Sequence, residues 1–462
     1  MPHARLFRLV VGLALIGCGR GEPVSSEKSA PAEGRRPQTG PSASNAPASS
    51  AGAPSAQRPK SPLNVLFVSI DSLRADMPWT GYPRQIAPNL SKLAEESVVY
   101  TNAYSVSSYT AKSVAAFLTG RYPSTLYRSG FFFANYSKAN LFFPELLQEK
   151  GIRTLGWHSH MYFGRGKGLE QGFDVWELVP GITFDPQTDN HVTSEKMTRL
   201  GTELLSKPEN TQKQFFAWAH YMDPHDQYIK HSESPDFGGK NRDRYDSEVF
   251  YTDLWLGKFL DFCKAQPWWK NTALVISADH GEAFGEHDMY RHAFEIWEML
   301  VRVPLMIKAP GVLPRRIDER RSLIDLAPTI MELLGQAAPD SFAGESLVPE
   351  VYGAPAKHRS VILLELTEDS HNPQRRAIVT GDYKLIVHDS GWKQQLFNLK
   401  NDPGETKDLA KSEPDKLAEL KKTFDEIWSK IPSVEPYGGN KLKSGKLANG
   451  PMGPPKEQAA EK

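Results

Sequence analysis

Residues 271–310 read NTALVISADHGEAFGEHDMYRHAFEIWEMLVRVPLMIKAP, a stretch in which an apolar run ends abruptly in ionisable residues. The run Ala273–Ser277 is almost continuously apolar and too short for a helix, which is typical of a central strand in a parallel sheet. Asp279 and His280 follow that strand directly. Because ligands collect at the carboxyl ends of the strands in open α/β sheets, the stretch predicts an α/β fold with a polar site at this edge.

A second strand with a similar ending lies upstream, in Asn64–Asp71 (NVLFVSID). Its final carboxylate would meet Asp279 and His280 at the same edge of the sheet. Carboxylates combined with an imidazole suit a divalent cation such as Mn²⁺, Mg²⁺, Ca²⁺ or Zn²⁺. Taken alone, Asp71 can equally be a cap or turn acid, and Asp279-His280-Gly281-Glu282 can be a turn. The two strand ends together favour a metal site.

The middle of the chain alternates apolar strands with helical patterns, which predicts a mixed or parallel sheet with helices on both faces. The predicted strands are 64–70, 152–157, 214–220 and 272–277, and the predicted helices are 89–96, 110–119, 143–150, 192–206 and 247–263, with a further helix opening near Ile324. After residue 361, the runs VILLEL, RAIVTGDYKLIVHD and QQLFNL read as paired strands, followed by a closing helix at Glu413–Lys430. We therefore expect a main region at 63–345 and a smaller subdomain at 346–431.

From about Asn64 to about Ala410, a series of blocks in order resembles the sulfatase branch of the alkaline phosphatase superfamily. The blocks are VLFVSIDSLRAD, SSYTAKSVAAFLTGRYPS, GIRTLGWHS followed by QGFDVW, AHYMDPHDQY, ISADHGEAFGEH, RVPLMIKAPG, SLIDLAPTIMELLG and GDYKLIVHDSGWKQQLFNLKNDPGETKDLA. The resemblance implies an alkaline-phosphatase-like α/β fold. That fold is a mixed, largely parallel sheet sandwiched by helices, with a small C-terminal antiparallel subdomain.

The resemblance also implies one divalent metal ion, held by Asp71, Thr110, Asp279 and His280. Many sulfatases have two adjacent acids where this chain reads Asp71-Ser72, so one ligand of the family pattern is missing. The alternative is a two-metal site, as in alkaline phosphatases and nucleotide pyrophosphatases. In that case the second set of ligands is expected from Asp223, His225, His287 or His292.

The nucleophile position of the family lies upstream of the block Thr119–Pro123 and corresponds to Thr110. Sulfatases have a cysteine or serine there, oxidised to formylglycine within C/S-x-P-S-R, whereas this chain reads TAKSV. The two cysteines are Cys18 and Cys263, so formylglycine made from cysteine at this position is excluded and no formylglycine is expected. A threonine here resembles the phosphodiesterase, lipoteichoic acid synthase and phosphoethanolamine transferase branches, in which the hydroxyl itself attacks.

A threonine hydroxyl is a weak nucleophile, and metal coordination activates it by stabilising the alkoxide. A formylglycine hydrate expels sulfate by collapsing to an aldehyde, but a threonine ester must be broken by water or an acceptor hydroxyl. Phosphoryl transfer tolerates that route well, so Thr110 favours phosphate esters. The alternative role for Thr110 is a helix N-cap.

Three histidines are candidates for proton transfer and for contacts with the ester oxygens: His225, His287 and His292. His225 could protonate the leaving oxygen, and the resemblance places His292 near the non-bridging oxygens. Each of the three is alternatively a structural histidine. Lys112 stands where the family usually has proline, and we expect it to be a solvated residue at the start of a helix.

The N-terminal residues predict export and a lipid anchor. Residues 1–18 carry Arg5 and Arg8, an apolar core at Leu9–Ile16 and then Gly17-Cys18, a pattern typical of a lipoprotein signal peptide with lipidation at Cys18. A plain secretory signal is the alternative. Residues 19–62 are rich in Pro, Ala and Ser and predict a disordered tether, and residues 432–462 predict a disordered tail. The expected location is therefore the cell envelope, on the periplasmic or extracellular face.

Charge balance and cysteine count argue against a nucleic-acid-binding protein and against a disulfide-rich fold. The chain has 55 basic and 55 acidic residues, which argues against a polyanion-binding surface and against nucleic acid as a partner. Cys263 remains unpaired once Cys18 is lipidated, so no disulfide framework is expected. We expect Cys263 to be a buried apolar residue of a helix.

Three functional hypotheses remain open at this point. The first is a metal-dependent hydrolase of sulfuric or phosphoric esters with Thr110 as nucleophile. The second is an envelope transferase that moves a phosphorylated headgroup through the same intermediate, and the third is a non-catalytic glycan-binding member. The expected ligand is a sulfated or phosphorylated small molecule, glycan or lipid headgroup. Aromatic residues at 131–136 and 157–176 either stack on such a ligand or belong to the core, and core packing is favoured.

Overall fold

The computed structural model describes residues 56–182, 192–389 and 391–438, which form one large mixed sheet, a four-stranded sheet and a two-stranded ribbon. The strands are β1 (Asn64–Ile70), β2 (Val98–Tyr104), β3 (Arg153–His158), β4 (Val175–Leu178), β5 (Phe215–Tyr221), β6 (Thr272–Ala278), β7 (Ala283–Phe284), β8 (Tyr290–Arg291), β9 (Arg302–Lys308), β10 (Arg315–Ile317), β11 (Arg321–Ser322), β12 (Val361–Leu366), β13 (Arg375–Thr380), β14 (Tyr383–His388) and β15 (Lys393–Asn398).

Helices cover the sheet in two groups that each contact its strands. The helices are α1 (Pro88–Ala94), α2 (Thr110–Thr119), α3 (Phe143–Glu149), α4 (Ser194–Ser206), α5 (Pro208–Thr211), α6 (Asn241–Lys264), α7 (Glu298–Val301), α8 (Leu326–Leu333), α9 (Val348–Val351) and α10 (Pro414–Trp428). Helices α1, α4 and α6 pack together, and α2, α3 and α8 form the other group. Cys263 lies fully buried in α6, as predicted.

The large sheet has the order β10-β2-β9-β6-β1-β5-β3-β4, with β11 also paired to β2. Strands β6, β1, β5, β3 and β4 run parallel to one another, whereas β9 is antiparallel to both β6 and β2. Every residue of β1 is buried, because helices cover both faces of the parallel strands. The predicted fold class, a mixed and largely parallel sheet between helices, is confirmed.

Strands β2 and β9 were not predicted from the sequence. In β9 the proline Pro304 lacks a backbone N–H, a feature that usually indicates an edge strand or no strand. Here Pro304 lies between two partner strands, and its carbonyl accepts a hydrogen bond from the Ser277 hydroxyl at 2.8 Å. Strand β2 contains the polar pair Thr101-Asn102 on its accessible part, which breaks the apolar run.

The C-terminal strands β12 to β15 form an antiparallel sheet in sequence order, as predicted. One face packs on α10 through Leu385, Leu396, Phe424 and neighbouring apolar residues. The opposite face packs on residues from the start of α2 and from the loops after β6, including Tyr109. The small sheet therefore lies directly against the start of helix α2.

The predicted tether and tail both contain residues that contact the folded region. Within 56–62, the Gln57 amide donates to the Gly311 carbonyl at 2.9 Å and Arg58 forms an ion pair with Glu332. Within 432–438, the Val434 amide donates to the Ser124 carbonyl and the Tyr437 amide to the Arg128 carbonyl. Packing thus extends from residue 56 to residue 438. The predicted signal peptide with Cys18, the tether up to residue 55 and the tail beyond 438 lie outside the described residues.

Within the residues that the structure describes, we find no helix with both the length and the apolar character needed to cross a membrane.

Lys112 is fully buried, which corrects the expectation of a solvated side chain. Its ammonium group forms an ion pair with Asp369 and donates to the Thr367 carbonyl at 3.0 Å. Asp369 also accepts from the backbone amides of His371 and Asn372, so its carboxylate is fully engaged. The expectation failed because the loop at 367–372 comes from a distant part of the sequence and supplies a counter-charge that is not evident near Lys112. The pair joins helix α2 to the C-terminal subdomain.

Replacing Lys112 with alanine is expected to lower the free energy of unfolding by about 3–5 kcal/mol, because a buried carboxylate loses its partner. The double variant Lys112→Met/Asp369→Asn is expected to recover much of that loss, since no charge remains buried and the asparagine still accepts the two amides. Chemical denaturation measures both values.

The control is Lys421→Ala, which removes an exposed ion pair with Asp425 on α10. This change is expected to cost no more than about 1 kcal/mol. Equal losses for Lys112→Ala and Lys421→Ala would contradict the structural role of the buried pair.

Candidate active site

Ionisable side chains from four adjacent strands meet at the carboxyl edge of the large sheet. Asp279 and His280 follow β6, Asp71 follows β1, His220 lies near the end of β5, and His160 follows β3. All five side chains are at most 1% exposed. Since β6, β1, β5 and β3 are parallel neighbours, their ends bring these groups to one point.

Asp71 lies at the centre of this group. Its Oδ2 atom is 2.6 Å from Nε2 of His160 and 3.5 Å from Nε2 of His220. Its Oδ1 atom accepts from the Ser72 hydroxyl at 2.9 Å and lies 3.6 Å from Nε2 of His280. Ser72, which replaces the second acid of the family pattern, therefore supports Asp71 with a hydrogen bond.

Thr110 is the first residue of α2 and points its hydroxyl at the group. The Oγ1 atom lies 3.0 Å from Nε2 of His280 and 3.4 Å from Oδ2 of Asp71. The N-cap position is occupied by Tyr109, and Thr110 makes no capping hydrogen bond there. The alternative role of Thr110 as an N-cap is therefore wrong for this helix.

Asp279 and His280 are fixed by backbone contacts. Oδ1 of Asp279 accepts from the His280 amide at 2.9 Å and from the Ser72 amide at 3.3 Å. His280 directs Nδ1 at the Gly281 carbonyl at 2.9 Å, so that nitrogen carries the proton and Nε2 presents its lone pair to Thr110. A Cβ on Gly281 would lie 2.1 Å from the Met299 carbonyl oxygen, so the sharp turn after Asp279 requires glycine.

Burial and neighbouring charges shift the pKa values of these carboxyl and imidazole groups. Burial, and then the neighbouring charge of Asp71, raise the pKa of Asp279 well above its usual value. Burial would also raise the pKa of Asp71, but His225, His160 and His220 outweigh it and lower that pKa well below the usual value. Burial lowers the pKa of His280 to about 3 and that of His220 to about 4, so both imidazoles stay neutral. Neutral imidazoles next to buried carboxylates are metal ligands in their binding form.

A divalent cation fits this set of ligands. Asp71, Asp279 and His280 each offer a ligand atom within 4.8 Å of the others, and Thr110 contacts two of the three residues. Oδ2 of Asp279 is buried without a hydrogen-bond partner, so ionisation of this carboxyl group is unfavourable unless a positive charge lies beside it. A cation at this point would satisfy that oxygen and separate the two carboxylate charges. Carboxylates with one imidazole are a donor set that several divalent cations accept.

Two of the three predicted catalytic histidines lie beside these ligands. The ring of His292 is 4.2 Å from that of His280 and 4.8 Å from that of His225, measured between centroids. Nδ1 of His292 is 3.1 Å from Oε1 of Glu282, a carboxyl whose pKa is raised to about 7 chiefly by burial. His225 is half-buried and is the most accessible of these histidines, so it marks the solvent side of the group.

The structure places His287 elsewhere. Its ring stacks on Trp297 at a centroid distance of 4.2 Å, and its Nε2 contacts the Gly404 carbonyl at 3.0 Å. Gly404 belongs to the C-terminal subdomain, and the residue that follows it contacts the start of helix α7. His287 therefore joins two parts of the chain, and the structure does not bring it together with Thr110.

His160 and His220 were missed by the sequence reasoning. Both stand at the ends of predicted parallel strands, 152–157 and 214–220, and the rule that located Asp71 and Asp279 applies to them as well. Their local signal is weak, because His220 is one polar residue within an apolar strand and His160 follows two further polar residues, His158 and Ser159.

Aromatic rings form the rim next to Thr110. The ring of Tyr109 is 4.4 Å from that of Phe132, and Phe133 is 4.9 Å from Tyr162, whose ring is 4.8 Å from His160. Phe133 is 38% exposed and so remains accessible from solvent. By contrast, Trp157 and Trp176 belong to the core, as favoured from the sequence. The 131–136 segment is thus the part of the aromatic set that a ligand can reach.

Two family models and several known proteins match this chain. A family model described as Sulfatase matches residues 63–336, and one described as N-sulphoglucosamine sulphohydrolase, C-terminal, matches residues 285–431. The chain is 25% identical to an ulvan-active sulfatase of Formosa agariphila over 429 residues, which cover 81% of this chain and 83% of the relative.

Two solved structures share the fold. One is described as being in complex with its substrate D-glucosamine-2-N,6-O-disulfate and has a TM-score of 0.65 at 18% identity, covering 80% of this chain and 99% of its own. The other is a phosphonate monoester hydrolase of Agrobacterium radiobacter, with a TM-score of 0.64 at 17% identity, covering 80% and 96%.

Removing divalent cations with a chelator is expected to lower the thermal unfolding midpoint of the purified protein. Adding Mn²⁺ or Zn²⁺ is expected to restore it, because a cation that binds only the folded chain stabilises it by mass action. The variant Asp279→Asn is expected to weaken cation binding at least about 100-fold, since it removes a ligand rather than a supporting group. Calorimetric titration measures the affinity.

The apparent affinity is also expected to fall as the pH is lowered, because the raised pKa of Asp279 lets a proton compete with the cation. Asp382→Asn, which changes a half-exposed aspartate between β13 and β14, is the control and should bind as the wild type does. Unchanged affinity in Asp279→Asn would exclude Asp279 as a ligand.

Proposed function

We propose that this chain, which belongs to the sulfatase family of ester hydrolases, cleaves esters of sulfuric or phosphoric acid by direct attack of Thr110. The observation that carries the proposal is the position of the threonine hydroxyl, 3.0 Å from His280 and 3.4 Å from Asp71 at the start of a helix. A hydroxyl buried against an imidazole and a carboxylate with metal-binding character is in the position of an activated nucleophile. A divalent cation held by Asp71, Thr110, Asp279 and His280 would supply the positive charge that favours the ionised hydroxyl.

The first step forms a covalent ester. The Oγ1 atom of Thr110 attacks the sulfur or phosphorus atom after losing its proton to solvent, and the bond from that atom to the leaving oxygen breaks. The amide groups at the start of α2 and the neutral His292 then face the oxygens that gain negative charge. Glu282 positions His292 through the contact at 3.1 Å.

Proton transfer to the leaving oxygen is assigned to His225. It is the half-buried histidine on the solvent side of the group, where a leaving alcohol departs, and its ring neighbours His292. In the second step the same residue, now neutral, accepts a proton from the water that attacks the threonine ester. The bond between Oγ1 of Thr110 and the sulfur or phosphorus atom breaks, sulfate or phosphate is released, and Oγ1 takes a proton from solvent to regenerate the hydroxyl.

The threonine favours phosphoric over sulfuric esters. A threonine ester has no neighbouring hydroxyl that can expel the anion by forming an aldehyde, so water must attack the central atom a second time. A phosphorus atom can undergo both displacements, first by Thr110 and then by water. In phosphoryl transfer the protein contributes mainly by positioning the reacting groups and stabilising negative charge. The reaction proposed here uses no formylglycine.

The substrate is proposed to be an anionic ester carried by a sugar or an aryl group. The ulvan-active sulfatase and the structure with a glucosamine disulfate give a precedent for sulfated glycans. The accessible ring of Phe133 beside Tyr162 offers a flat apolar surface on which a sugar or aryl ring can stack. The signal pattern ending at Cys18 supports a location in the cell envelope, where such glycans and lipid headgroups occur.

Hydrolysis of 4-nitrophenyl sulfate, 4-nitrophenyl phosphate and methyl 4-nitrophenyl phosphate by the full chain is expected to reveal phosphoric ester cleavage that depends on Thr110. Thr110→Ala is expected to lower kcat/KM at least about 1,000-fold, because the attacking atom is lost. Thr110→Ser keeps a hydroxyl and is expected to retain measurable turnover. Mass spectrometry of acid-quenched enzyme should detect the ester on the peptide that contains Thr110.

Full activity in Thr110→Ala would refute the proposed nucleophile. Turnover of the sulfate ester alone would overturn the preference for phosphorus. Turnover only after an acceptor alcohol is added would identify a transferase instead of a hydrolase.

The role of His225 predicts a dependence on the leaving group. His225→Asn is expected to reduce the cleavage of an alkyl ester by about 100- to 10,000-fold, since an alkoxide needs a proton to depart. The cleavage of the matching 4-nitrophenyl ester should change far less, because 4-nitrophenolate leaves without protonation. His287→Asn is the control and should affect both substrates equally and weakly. Equal losses on both substrates in His225→Asn would assign that residue to binding rather than proton transfer.

A further inference from the structure

A second group of ligands lies on the other side of Asp71. His160 and His220 direct their Nε2 atoms at Oδ2 of Asp71, at 2.6 Å and 3.5 Å. The ligand atoms of these three residues lie within 4.8 Å of one another, as do those of Asp71, Asp279 and His280. We propose that Asp71, His160 and His220 bind a second divalent cation, so that the Asp71 carboxylate bridges two metal ions.

His220 is prepared for this role by the residues behind it. Its Nδ1 atom is 2.7 Å from the hydroxyl oxygen of Ser69, and that oxygen accepts a hydrogen bond from Nε1 of Trp218 at 2.9 Å. These contacts fix the plane of the imidazole ring. An outer hydrogen bond of this kind typically orients a metal-binding histidine and selects its tautomer.

The Nε2 atom of His220 is buried and has no hydrogen-bond partner. A buried polar atom without a partner is unfavourable by an amount comparable to a lost hydrogen bond, so native folds rarely keep one without a reason. Oδ2 of Asp71 lies 3.5 Å from this Nε2 atom, which is too far for a good hydrogen bond but is a suitable distance for both atoms to bind one ion. A cation between them satisfies both.

His160 completes the donor set. Its Nε2 atom and Oδ2 of Asp71 are 2.6 Å apart, a distance at which a shared proton holds the two atoms together in the absence of a cation. A cation can replace that proton and contact the same two atoms. The ring of His160 contacts those of Tyr162 and Phe163 at centroid distances of 4.8 Å and 5.0 Å, and these contacts restrict its rotation.

The two oxygens of Asp71 divide between the two groups. Oδ1 faces His280, and Oδ2 faces His160 and His220. One carboxylate can therefore bind two ions with one oxygen each, which is the arrangement used by enzymes with paired metal ions. The second group has two imidazoles and one shared carboxylate, a donor set that suits Zn²⁺ or Mn²⁺ better than Ca²⁺ or Mg²⁺.

These residues differ from the second set of metal ligands that is predicted from the sequence. That set comprises Asp223, His225, His287 or His292. Asp223 instead accepts from the backbone amides of Thr193 and Ser194 at the start of α4. His287 stacks on Trp297. The structure thus points to His160 and His220 as the additional ligands. The inference extends the metal site of the proposed function, but the second ion's presence can be tested without any substrate.

Metal content is the decisive measurement. The metal-free full chain is loaded with Zn²⁺ or Mn²⁺, passed over a desalting column and analysed by elemental mass spectrometry. The wild type is expected to retain two equivalents per chain, and the double variant His160→Gln/His220→Gln one. His388→Gln changes a buried histidine of the C-terminal sheet, which bonds to Gln395, and should retain two. Circular dichroism and the unfolding midpoint of the metal-free variants check that the fold is kept.

Electron paramagnetic resonance of the Mn²⁺-loaded protein provides a second readout. A carboxylate bridge between two ions should give the multi-line spectrum of a coupled pair, and the double variant should give the spectrum of an isolated ion. One equivalent in the wild type, or two equivalents in the double variant, would overturn the proposal. Neither readout depends on turnover, so failure of the Thr110 mechanism and failure of the second site are distinguishable.

Discussion

The burial of two carboxylates at the end of one sheet is the constraint on which the rest of this structure depends. Asp71 and Asp279 are both fully buried, and each raises the electrostatic cost of ionising the other. The surrounding groups act against that cost: the neutral imidazoles of His280 and His220, the backbone amides of Ser72 and His280, and the hydroxyl of Thr110. Such an arrangement is stable when positive charge binds between the carboxylates, and the same positive charge serves an anionic ester.

The strand-end rule located Asp71, Asp279 and His280 from the sequence because apolar runs followed by acids are local patterns. Thr110 is identified by its place in an ordered series of blocks, and the structure brings it next to Asp71 and His280. His160 and His220 obey the same rule, but an isolated histidine in or after a strand gives a weak local signal. The buried state of Lys112 and the position of β9 between β2 and β6 depend on residues far away in the sequence, so no local pattern could predict them.

The residues that depart from the sulfatase pattern lie in or beside the same group of side chains. Ser72 replaces an acid and donates to Asp71, Thr110 replaces the formylglycine precursor, and Lys112 replaces a proline two residues further along α2. The loss of one acidic ligand at Ser72 is accompanied by two imidazoles directed at the same carboxylate. In the proposed two-metal centre, two nitrogen donors lie beside Asp71 where the family pattern has a further oxygen donor, and this donor set favours cations that accept imidazole.

The ion pair between Lys112 and Asp369 has a consequence for how the chain can be divided. The loop at 367–372 compensates a charge that lies two residues from the proposed nucleophile, and its Ser370 hydroxyl also accepts from the backbone amide of Phe132 on the aromatic rim. The small sheet therefore completes the walls of the catalytic centre and is not a separable module. Exchange of the C-terminal part for that of a relative would replace both the counter-charge of Lys112 and the contact to the aromatic rim, so we expect the two parts to change together in evolution.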